Sequence, residues 1–598
     1  MRVEGLKDSK KSLILLKIYF GMKKLFVALL ALSVAFMAFG AGKKQGESIA
    51  LKSAQKSVLN VSVDGAPVKV TRYVDNYVTR PNRPEDQKIN IYVPETATKA
   101  SPILFYVNNA GWQANTYPEN TIQDGQDYDG TNNKVGEALK EGYVVVSYGG
   151  RSRSNGLTDG KYLGHSPAIM VDTKAAIRYL RFNRKALPAG DTEKIFVTGT
   201  SGGGALSTVI AASGNSPDYF EDLYEIGAAG ISKAKDGSYV STLGDNVLGV
   251  IAYCPITDLG HSCYGYEWLF GSTRKALYLA GEMNYSYASE EMVLEASDAL
   301  AALYVPYLNG LGLKDEFGTP VTDKNLRDEI TRLMKEEIEK TIAELGVDQM
   351  KADLEQEIRA RRSGGGPQGG GPRGPQGGPR MGNGPQGDPQ GGPQGGPQGG
   401  PQGQNAQAGT PAQHRVNNGW LTFNEDGSYS YNLDKHLYYV AKYTALKVAP
   451  SFSNLGLYDN RMNEDNLFGT REQEYAPFNA WSWNHDTQKN SVGLDDTGLT
   501  WDEYLKTDEG KALLKQIKMT CAMEYLLENK ADVAPYWYVR HGMDDRDNSF
   551  AVETTLFLSV RTSPAVKAHN VGFAWLKPHS GDYDVPEAYS WLKEVLSK

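Results

Sequence analysis

The segment Lys194-Ile-Phe-Val-Thr-Gly-Thr-Ser-Gly-Gly-Gly-Ala-Leu-Ser-Thr-Val-Ile-Ala-Ala-Ser213 runs from an apolar strand through the pattern G-x-S-x-G into a helix-like stretch. Strand, glycine-rich turn and helix in this order are typical of a nucleophile elbow. The glycines let the backbone turn sharply, so that the hydroxyl of Ser201 stands exposed at the end of the strand. We therefore expect Ser201 to be a nucleophile. A glycine-rich turn without chemistry is the alternative, because G-x-S-x-G alone is common.

Segments with the character of strands and helices alternate on both sides of Ser201. Apolar residues spaced along one face predict a helix at 171–183. Apolar runs predict strands at 89–93, 103–107, 143–148, 247–254, 536–539 and 571–576. This alternation is typical of a mostly parallel sheet with helices on both faces. Together with the elbow, it predicts an α/β-hydrolase fold.

The alternation lapses between Cys254 and about Met523, which predicts a large lid inserted into the hydrolase core. An amphipathic helix is predicted within the lid from the spacing of Leu326, Ile330, Met334, Ile338, Ile342 and Leu345. Residues 363–410 are Gly-Pro-Gln repeats with almost no apolar side chain, so we expect them to be disordered. The predicted segments are an upstream extension with a signal peptide at 1–41, the core at 60–257, the lid at 258–519 and the rest of the core at 520–598.

The beginning of the chain has the pattern of a secretory signal. From Met22 it reads Met-Lys-Lys, followed by an uncharged run at 25–39 and the small residues Gly40, Ala41 and Gly42. We expect translation to start at Met22. The apolar run is short for a transmembrane helix of about 20 residues. We therefore expect a protein exported to the periplasm, the cell surface or the medium, without stable membrane insertion after cleavage.

The charge and the cysteine content restrict the classes of partner and cofactor that we expect. The formal net charge is −8 and the isoelectric point is about 5.7. No stripe of lysine and arginine is visible, so nucleic acid is not expected as a partner. Neither the three cysteines nor the eight histidines have the spacing of a zinc site. We expect no metal, no cofactor and no disulfide-based fold, while the oligomeric state stays open.

An acidic partner for Ser201 is expected after a later strand, because such sheets carry the serine, the acid and the histidine in that order along the chain. The segment after the strand predicted at 536–539 reads Arg540-His-Gly-Met-Asp-Asp-Arg-Asp547. It is a glycine-containing turn rich in carboxylates. The local sequence does not choose among Asp544, Asp545 and Asp547.

His579 is the histidine that elimination favours. It lies just past the strand predicted at 571–576, whereas His541 lies on the loop of the acid and His569 precedes its strand. The other five histidines belong to the lid or precede Ser201. As a general base, His579 would take the proton of Ser201 and deliver it to the leaving alcohol. The alternative is a solvated loop histidine.

An oxyanion hole is expected beside Ser201. One donor is the backbone N–H of Gly202, and the second comes from the turn after the strand at 103–107, which reads Asn108-Asn-Ala-Gly-Trp112. This turn corresponds in position to the His-Gly-Gly-Gly-Trp turn of esterases. Because donation is by backbone, Asn109 and Ala110 both remain candidates, and a plain tight turn is the alternative.

Three motifs carry a family resemblance. Gly199-Thr-Ser-Gly-Gly-Gly204, Arg540-His-Gly-x-x-Asp-Arg-Asp547 and His579-x-Gly-Asp-Tyr-Asp584 resemble the bacterial subtype B tannases, α/β-hydrolases that cleave galloyl esters. The likeness spans most of the chain outside the signal and the Gly-Pro-Gln repeats. It implies that Asp545 is the acid of a catalytic triad and that Asp547 is a substrate ligand.

The same resemblance implies that a lysine and a glutamate of the lid hold the galloyl ring. The best matches are Lys447, in Leu446-Lys-Val-Ala-Pro-Ser451, and Glu464, in Asn463-Glu-Asp-Asn-Leu-Phe-Gly469. Carboxylates and an ammonium group can satisfy the adjacent hydroxyls of a trihydroxyphenyl ring, and such partners discriminate against rings that lack a hydroxyl. A salt bridge within the lid is the alternative.

The sequence thus predicts an exported serine esterase that acts through an acyl-enzyme on small phenolic esters, with gallate as the acid and without a cofactor. A feruloyl esterase or a general carboxylesterase is the first alternative. A peptidase of related fold is disfavoured, because no propeller-like repeat precedes the hydrolase core. A binding protein on an inactive hydrolase scaffold is disfavoured by the presence of Ser201, Asp545 and His579 together.

Overall fold

The computed structural model describes residues 49–280, 290–362, 419–443, 446, 467–485 and 494–598. Apolar and β-branched runs form the strands of this part of the chain. The strands are β1 (Gln55–Val63), β2 (Ala66–Asn76), β3 (Lys88–Pro94), β4 (Ile103–Val107), β5 (Asp127–Tyr128), β6 (Val144–Tyr148), β7 (Leu157–Thr158), β8 (Lys161–Tyr162), β9 (Ile195–Thr200), β10 (Ile231–Lys233), β11 (Tyr239–Ser241), β12 (Gly249–Tyr253), β13 (Leu421–Phe423), β14 (Tyr429–Tyr431), β15 (Tyr536–Gly542) and β16 (Ala568–Ala574).

Ten of these strands form one sheet, in the order β16-β15-β12-β9-β4-β6-β3-β2-β1-β5. The first six strands in this order, which end with β6, are parallel neighbours, in agreement with the predicted alternation. In contrast, β1, β2, β3 and β6 pair antiparallel. The two-residue turn Asp64-Gly65, with φ of 52° and 75°, joins β1 to β2 as a hairpin. The sheet is therefore mixed, with a parallel core and an antiparallel extension.

Helices follow the strands and fill the insertion. They are α1 (Lys134–Lys140), α2 (Ala168–Phe182), α3 (Gly202–Ala212), α4 (Phe220–Glu225), α5 (Ser262–Leu279), α6 (Glu290–Gly310), α7 (Leu326–Leu345), α8 (Val347–Arg362), α9 (Leu433–Tyr443), α10 (Ala480–His485), α11 (Leu494–Thr497), α12 (Trp501–Tyr504), α13 (Asp508–Lys518), α14 (Ala522–Glu528), α15 (Phe550–Thr562) and α16 (Val585–Ser597). No helix of the described ranges is both long and apolar enough to cross a membrane.

Two apolar cores lie on opposite faces of the sheet, because successive side chains of a strand point to opposite sides. Leu104 belongs to the core that also contains Leu139 of α1 and Leu592 of α16. The next residue, Phe105, belongs to the larger core, which contains Leu180 of α2. Helices therefore cover both faces of the sheet, as the sequence predicts for an α/β-hydrolase fold.

An inserted helical region, from α5 to α13, separates β12 from β15 in the chain and corresponds to the predicted lid. Its predicted amphipathic helix is α7, in which Ile330, Met334 and Ile338 are buried. Leu345 departs from the predicted stripe because its side chain is 50% exposed where the helix ends.

The beginning of the sheet differs from the predicted core boundary at residue 60. Strand β1 starts at Gln55, and its first residues are exposed and mostly polar, so they lack the apolar signal of a buried strand. The predicted signal region at 1–41 and the Gly-Pro-Gln repeats at 363–410 lie outside the described residues.

Candidate active site

Ser201 lies in the turn between β9 and α3. Its φ of 61° and ψ of −125° fall in a region that residues with a side chain rarely adopt. The N–H of Ser201 donates to the carbonyl of Tyr253 in β12 at 2.9 Å, which fixes the turn to the neighbouring strand. A Cβ on Gly199 would lie 2.3 Å from the carbonyl oxygen of Gly203. The close approach of strand and helix therefore requires glycine, as the motif predicts.

The structure brings Ser201, His579 and Asp545 into one hydrogen-bonded chain. Nε2 of His579 lies 2.9 Å from Oγ of Ser201, and Nδ1 lies 2.7 Å from Oδ2 of Asp545. The two partners of Ser201 lie on the loops that follow β15 and β16. Because β9, β15 and β16 are parallel members of one sheet, their carboxyl ends meet at the same edge. This topology joins three residues that are far apart in the sequence.

The surroundings of Asp545 and His579 shift their pKa values in opposite directions. Burial opposes the charge of Asp545, but the positive charge of His579, together with hydrogen bonds from His579 and from the N–H of Asp547, holds the pKa of the carboxyl well below its usual range. Burial likewise opposes protonation of His579, but the carboxylate of Asp545 raises the pKa of the imidazole well above its usual value. The carboxylate therefore stabilises an imidazolium, the species that forms when a histidine accepts a serine proton.

The three aspartates of the acid loop have different surroundings. Asp545 is fully buried and faces His579, and its Oδ1 accepts a hydrogen bond from the N–H of Asp547 at 2.7 Å. The side chain of Asp547 is 24% exposed, and its Oδ2 lies 3.9 Å from Nδ1 of His579. Asp544 instead bonds Arg361 of α8 at 2.8 Å. Of the three carboxylates, Asp545 is the one in hydrogen-bond contact with His579.

The turn after β4 packs against the elbow. A Cβ on Gly202 would lie 2.5 Å from the carbonyl oxygen of Asn109 and from the N–H nitrogen of Trp112. Burial of the Trp112 indole, which donates from Nε1 to the carbonyl of Ile256 at 3.0 Å, holds the turn in place. The backbone N–H groups of Gly202, Asn109 and Ala110 donate to no acceptor within the described ranges. The choice between Asn109 and Ala110 as the second oxyanion donor stays open.

Buried ion pairs hold the loop that carries His579. Nζ of Lys134, at the start of α1, lies 2.8 Å from Oδ1 of Asp582, and the two side chains are nearly inaccessible. Asp584 accepts hydrogen bonds from Tyr538 at 2.7 Å and pairs with Arg540 at 3.1 Å, both from β15. The loop is therefore tied to α1 on one side and to the central sheet on the other, which restricts the position of the imidazole.

Two histidines lie elsewhere than the sequence predicts. His541 lies inside β15 rather than on the acid loop, and His569 lies inside β16 rather than before it. Strand β15 continues past the end of its predicted apolar run and β16 begins before its run, because residues with polar side chains also pair in a sheet through their backbones. His541 is fully buried, with Nδ1 3.6 Å from Oδ2 of Asp545. Burial lowers the pKa of His541 to about 4, so this ring is neutral at neutral pH.

A thiol that the site predictions did not include also lies beside the imidazole. Cys254 follows β12, has a φ of 43° and is fully buried. Its Sγ lies 3.7 Å from Oη of Tyr583 and 3.9 Å from the carbonyl oxygen of Pro578. Burial raises the pKa of this thiol. Its position at the carboxyl end of a predicted buried strand, as for the other site residues, was the signal that could have indicated it.

The remaining predicted substrate ligands lie in the inserted region. Lys447 and Glu464 are outside the described residues. Of the predicted ring-binding set, the structure therefore places only Asp547, on the rim of the site beside His579.

Comparisons with known proteins agree with this architecture. A family model described as BD-FAE matches residues 89–262. No curated protein matches the chain. Among solved structures, a tannin acyl hydrolase in complex with 3,4-dihydroxybenzoate is 23% identical, with a TM-score of 0.62, and the alignment covers 92% of this chain and 98% of that one. The Fusobacterium nucleatum tannase is 24% identical, with a TM-score of 0.61 and coverages of 92% and 99%. A tannin acyl hydrolase in complex with ethyl gallate is 23% identical, with a TM-score of 0.59 and coverages of 92% and 98%.

The chain has the α/β-hydrolase fold of the bacterial tannases. On this tannase fold, the edge of the sheet presents a hydroxyl, an imidazole held by a buried carboxylate, and backbone N–H groups in the elbow and in the turn packed against it. These are the groups that nucleophilic acyl transfer requires: a nucleophile, a base with a fixed tautomer, and donors for an oxyanion. None of these roles requires a metal ion.

Proposed function

We propose that this protein is a serine esterase that hydrolyses galloyl esters, such as gallotannins and alkyl gallates, through a covalent acyl-enzyme. The observation that carries the proposal is the hydrogen-bonded chain from Asp545 through His579 to Ser201, at 2.7 and 2.9 Å. Nucleophile and base are within direct proton-transfer distance, and the base is oriented by a buried carboxylate.

Acylation begins when Nε2 of His579 takes the proton of Ser201 as Oγ attacks the ester carbonyl carbon. The carbonyl oxygen becomes an oxyanion and accepts hydrogen bonds from the N–H of Gly202 and from that of Asn109 or Ala110. The intermediate collapses by breaking the bond between the carbonyl carbon and the alcohol oxygen. His579 gives the proton to this oxygen, so the alcohol leaves neutral and the acyl group stays on Ser201.

Deacylation repeats the sequence with water. His579 takes a proton from water as the oxygen attacks the acyl carbon, and then returns the proton to Oγ of Ser201. Asp545 remains ionised throughout and stabilises the imidazolium in both halves. The products are the free acid and the regenerated enzyme.

Selectivity for a galloyl group rests on Asp547, Lys447 and Glu464. Asp547 is partly exposed on the rim beside His579, where a carboxylate can accept hydrogen bonds from phenolic hydroxyls. The other two residues are assigned from the family resemblance. Support comes from the complexes of two structurally similar tannin acyl hydrolases, one with 3,4-dihydroxybenzoate and one with ethyl gallate. Both ligands carry adjacent phenolic hydroxyls.

The location of the enzyme is part of the proposal. The segment that starts at Met22 has the charge and apolar pattern of an export signal. We expect the mature enzyme to act outside the cytoplasm.

The deciding experiment compares hydrolysis of methyl gallate, methyl ferulate and a short-chain nitrophenyl ester by the purified protein, with Ser201→Ala as the matched control. A galloyl esterase hydrolyses methyl gallate with the highest kcat/KM, and the control variant hydrolyses none of the three. Preference for methyl ferulate would assign a feruloyl esterase, and similar values for all three would assign a general carboxylesterase. No hydrolysis of any ester, with binding of phenolic acids retained, would indicate a binding protein.

A further inference from the structure

Three different metal-binding side chains meet beside Ser201. The thiol of Cys254, a carboxylate oxygen of Asp545 and a ring nitrogen of His579 all lie within 4.8 Å of one another, and no other such group of three occurs within the described ranges. They follow β12, β15 and β16, so the parallel topology that assembles the serine site also assembles this group. Thiolate, imidazole and carboxylate together are a donor set that suits Zn²⁺ and Cd²⁺.

We propose that Cys254, Asp545 and His579 form an inhibitory binding site for a thiophilic divalent cation such as Zn²⁺ or Cd²⁺. The site goes beyond the proposed ester hydrolysis, for which Cys254 has no assigned role. The cation is an inhibitor here and not a cofactor, because it occupies the base on which hydrolysis depends.

The distances between the donor atoms are close to those required for tetrahedral coordination of a metal ion. Zinc with bonds of about 2.0 to 2.3 Å places its donors roughly 3.5 Å apart. Nδ1 of His579 and Oδ2 of Asp545 are already 2.7 Å apart, and the thiol lies within 4.8 Å of both side chains. Small side-chain rotations close the remaining gap. The side chain of His579 is 20% exposed, which leaves a path for the ion and room for a water as its fourth ligand.

The thiol of Cys254 loses only weak hydrogen bonds when it binds a metal. Besides the groups of the proposed site, it contacts Oη of Tyr583 at 3.7 Å and the carbonyl oxygen of Pro578 at 3.9 Å, and hydrogen bonds of a thiol are weak. The positive φ of Cys254 is set by the backbone after β12, where its N–H donates to the carbonyl of Arg540 at 2.7 Å. The backbone therefore holds the sulfur next to the imidazole whether or not a metal is bound.

Binding exchanges a proton for a metal and involves no electron transfer. The thiol of Cys254 releases its proton to solvent and coordinates as a thiolate, and Asp545 coordinates through an oxygen that is already ionised. His579 coordinates through Nδ1 as the neutral tautomer protonated on Nε2, and a second ring proton, where present, also leaves to solvent. A neutral imidazole has a single lone pair on its ring nitrogens. When His579 coordinates the ion through this lone pair, it cannot accept the proton of Ser201. Hydrolysis therefore stops while the ion is bound and returns when the ion is removed.

The first experiment tests binding without relying on the proposed function. The Ser201→Ala variant keeps all three ligands, and Co²⁺ replaces Zn²⁺ as a spectroscopic probe. We expect a charge-transfer absorption between sulfur and Co²⁺ that is absent from Ser201→Ala with Cys254→Ser. The matched control is Ser201→Ala with Cys263→Ser, which removes a buried thiol of α5 and should keep the band. Absence of a thiolate band in Ser201→Ala would overturn the site.

The second experiment measures inhibition of ester hydrolysis by Zn²⁺, with each variant referred to its own uninhibited rate. Loss of a supporting group around a metal costs roughly 10- to 100-fold in affinity, so loss of the thiolate itself should raise the inhibitory Zn²⁺ concentration at least tenfold. Cys254→Ser and Cys254→Ala should agree, and a chelator should restore activity of the parent. Equal sensitivity of parent and both variants, or inhibition that a chelator does not reverse, would contradict the proposal. A cobalt band in a protein without esterase activity would refute the proposed function and leave the metal site standing.

Discussion

Nη2 of Arg361 donates to Oδ2 of Asp544 at 2.8 Å, and both side chains are buried. Arg361 lies in the last turn of α8, in the lid, whereas Asp544 immediately precedes Asp545. Burial raises the pKa of Asp544 to about 6, even though Arg361 opposes the shift. The ion pair therefore links the lid to the loop that orients His579.

We predict that Arg361→Gln lowers the free energy of unfolding by about 3 to 5 kcal/mol at pH 7, because it leaves a buried carboxylate without its partner. The loss should shrink at pH 5, where Asp544, with its raised pKa, is protonated and needs no counter-charge. Denaturant unfolding at both pH values measures the effect. Arg359→Gln is the control on the same helix, because the side chain of Arg359 is 70% exposed. An equal loss in both variants would point to helix α8 rather than to the ion pair.

The hydrogen-bonded chain should behave as a unit in catalysis. Ser201→Ala, Asp545→Asn and His579→Ala should each lower kcat for methyl gallate by about 10³- to 10⁶-fold, and a double variant should lose little more than a single one. Steady-state kinetics with circular dichroism as the check of folding would establish this. Near-normal turnover by folded Ser201→Ala would exclude the serine mechanism.

The pH dependence of kcat/KM should reflect the raised pKa of His579. Hydrolysis needs the neutral imidazole, so the rate should fall as the pH drops through this pKa, with a midpoint above the ordinary value of about 6.5. Because the carboxylate of Asp545 raises the pKa, Asp545→Asn should move the midpoint to lower pH. The pH profile of the parent and an NMR titration of the His579 ring in both proteins provide the measurement. A midpoint below 6.5 in the parent would contradict this assignment.

Replacement of Asp547 by alanine should change selectivity more than general activity. A lost hydrogen bond to a charged group is worth roughly 1.5 to 3 kcal/mol, so kcat/KM for methyl gallate should fall about ten- to a hundredfold. Lys447→Ala and Glu464→Ala should act in the same way. A short-chain ester without ring hydroxyls is the internal control. Equal losses on both substrates would mean that these residues support the fold of the site.

Deletion of residues 364–409 should leave the melting temperature and kcat/KM almost unchanged. This segment has almost no apolar side chain to bury, and the closure entropy of a connection changes only slowly with its length. Thermal unfolding and steady-state kinetics of the shortened protein test the expectation. Insoluble protein after the deletion would show that the repeats have a structural role.

Strands β4 and β3 could be predicted from the sequence because their apolar runs are buried on both faces. The strand predicted at 103–107 has the bounds of β4, and that predicted at 89–93 differs from β3 by one residue at each end. Strand β1 could not be predicted in this way. It is half exposed, and its position depends on pairing with β2 through the turn at Asp64 and Gly65.

The candidate site was predictable where a residue follows a strand with a strong apolar signal. Ser201 and His579 could be named from their positions alone, and the structure joins them by a hydrogen bond. The local sequence could not separate Asp545 from Asp544, because the choice depends on tertiary partners: Arg361, more than a hundred positions away, pairs with Asp544, and His579 pairs with Asp545. The position of Cys254 at the end of a predicted strand was a signal, but its contact with this group depends on the tertiary structure.

The pairing of β12 with β15 has a consequence for how the protein forms. Tyr253 pairs with Arg540, and residues 254–539 are made between them during synthesis. Until β15 emerges, β12 is an apolar edge strand with unpaired backbone groups, which is a template for association with other chains. Such non-local pairing also slows folding. We therefore expect recovery on refolding to fall as the protein concentration rises, and expression to benefit from chaperones that shield this edge.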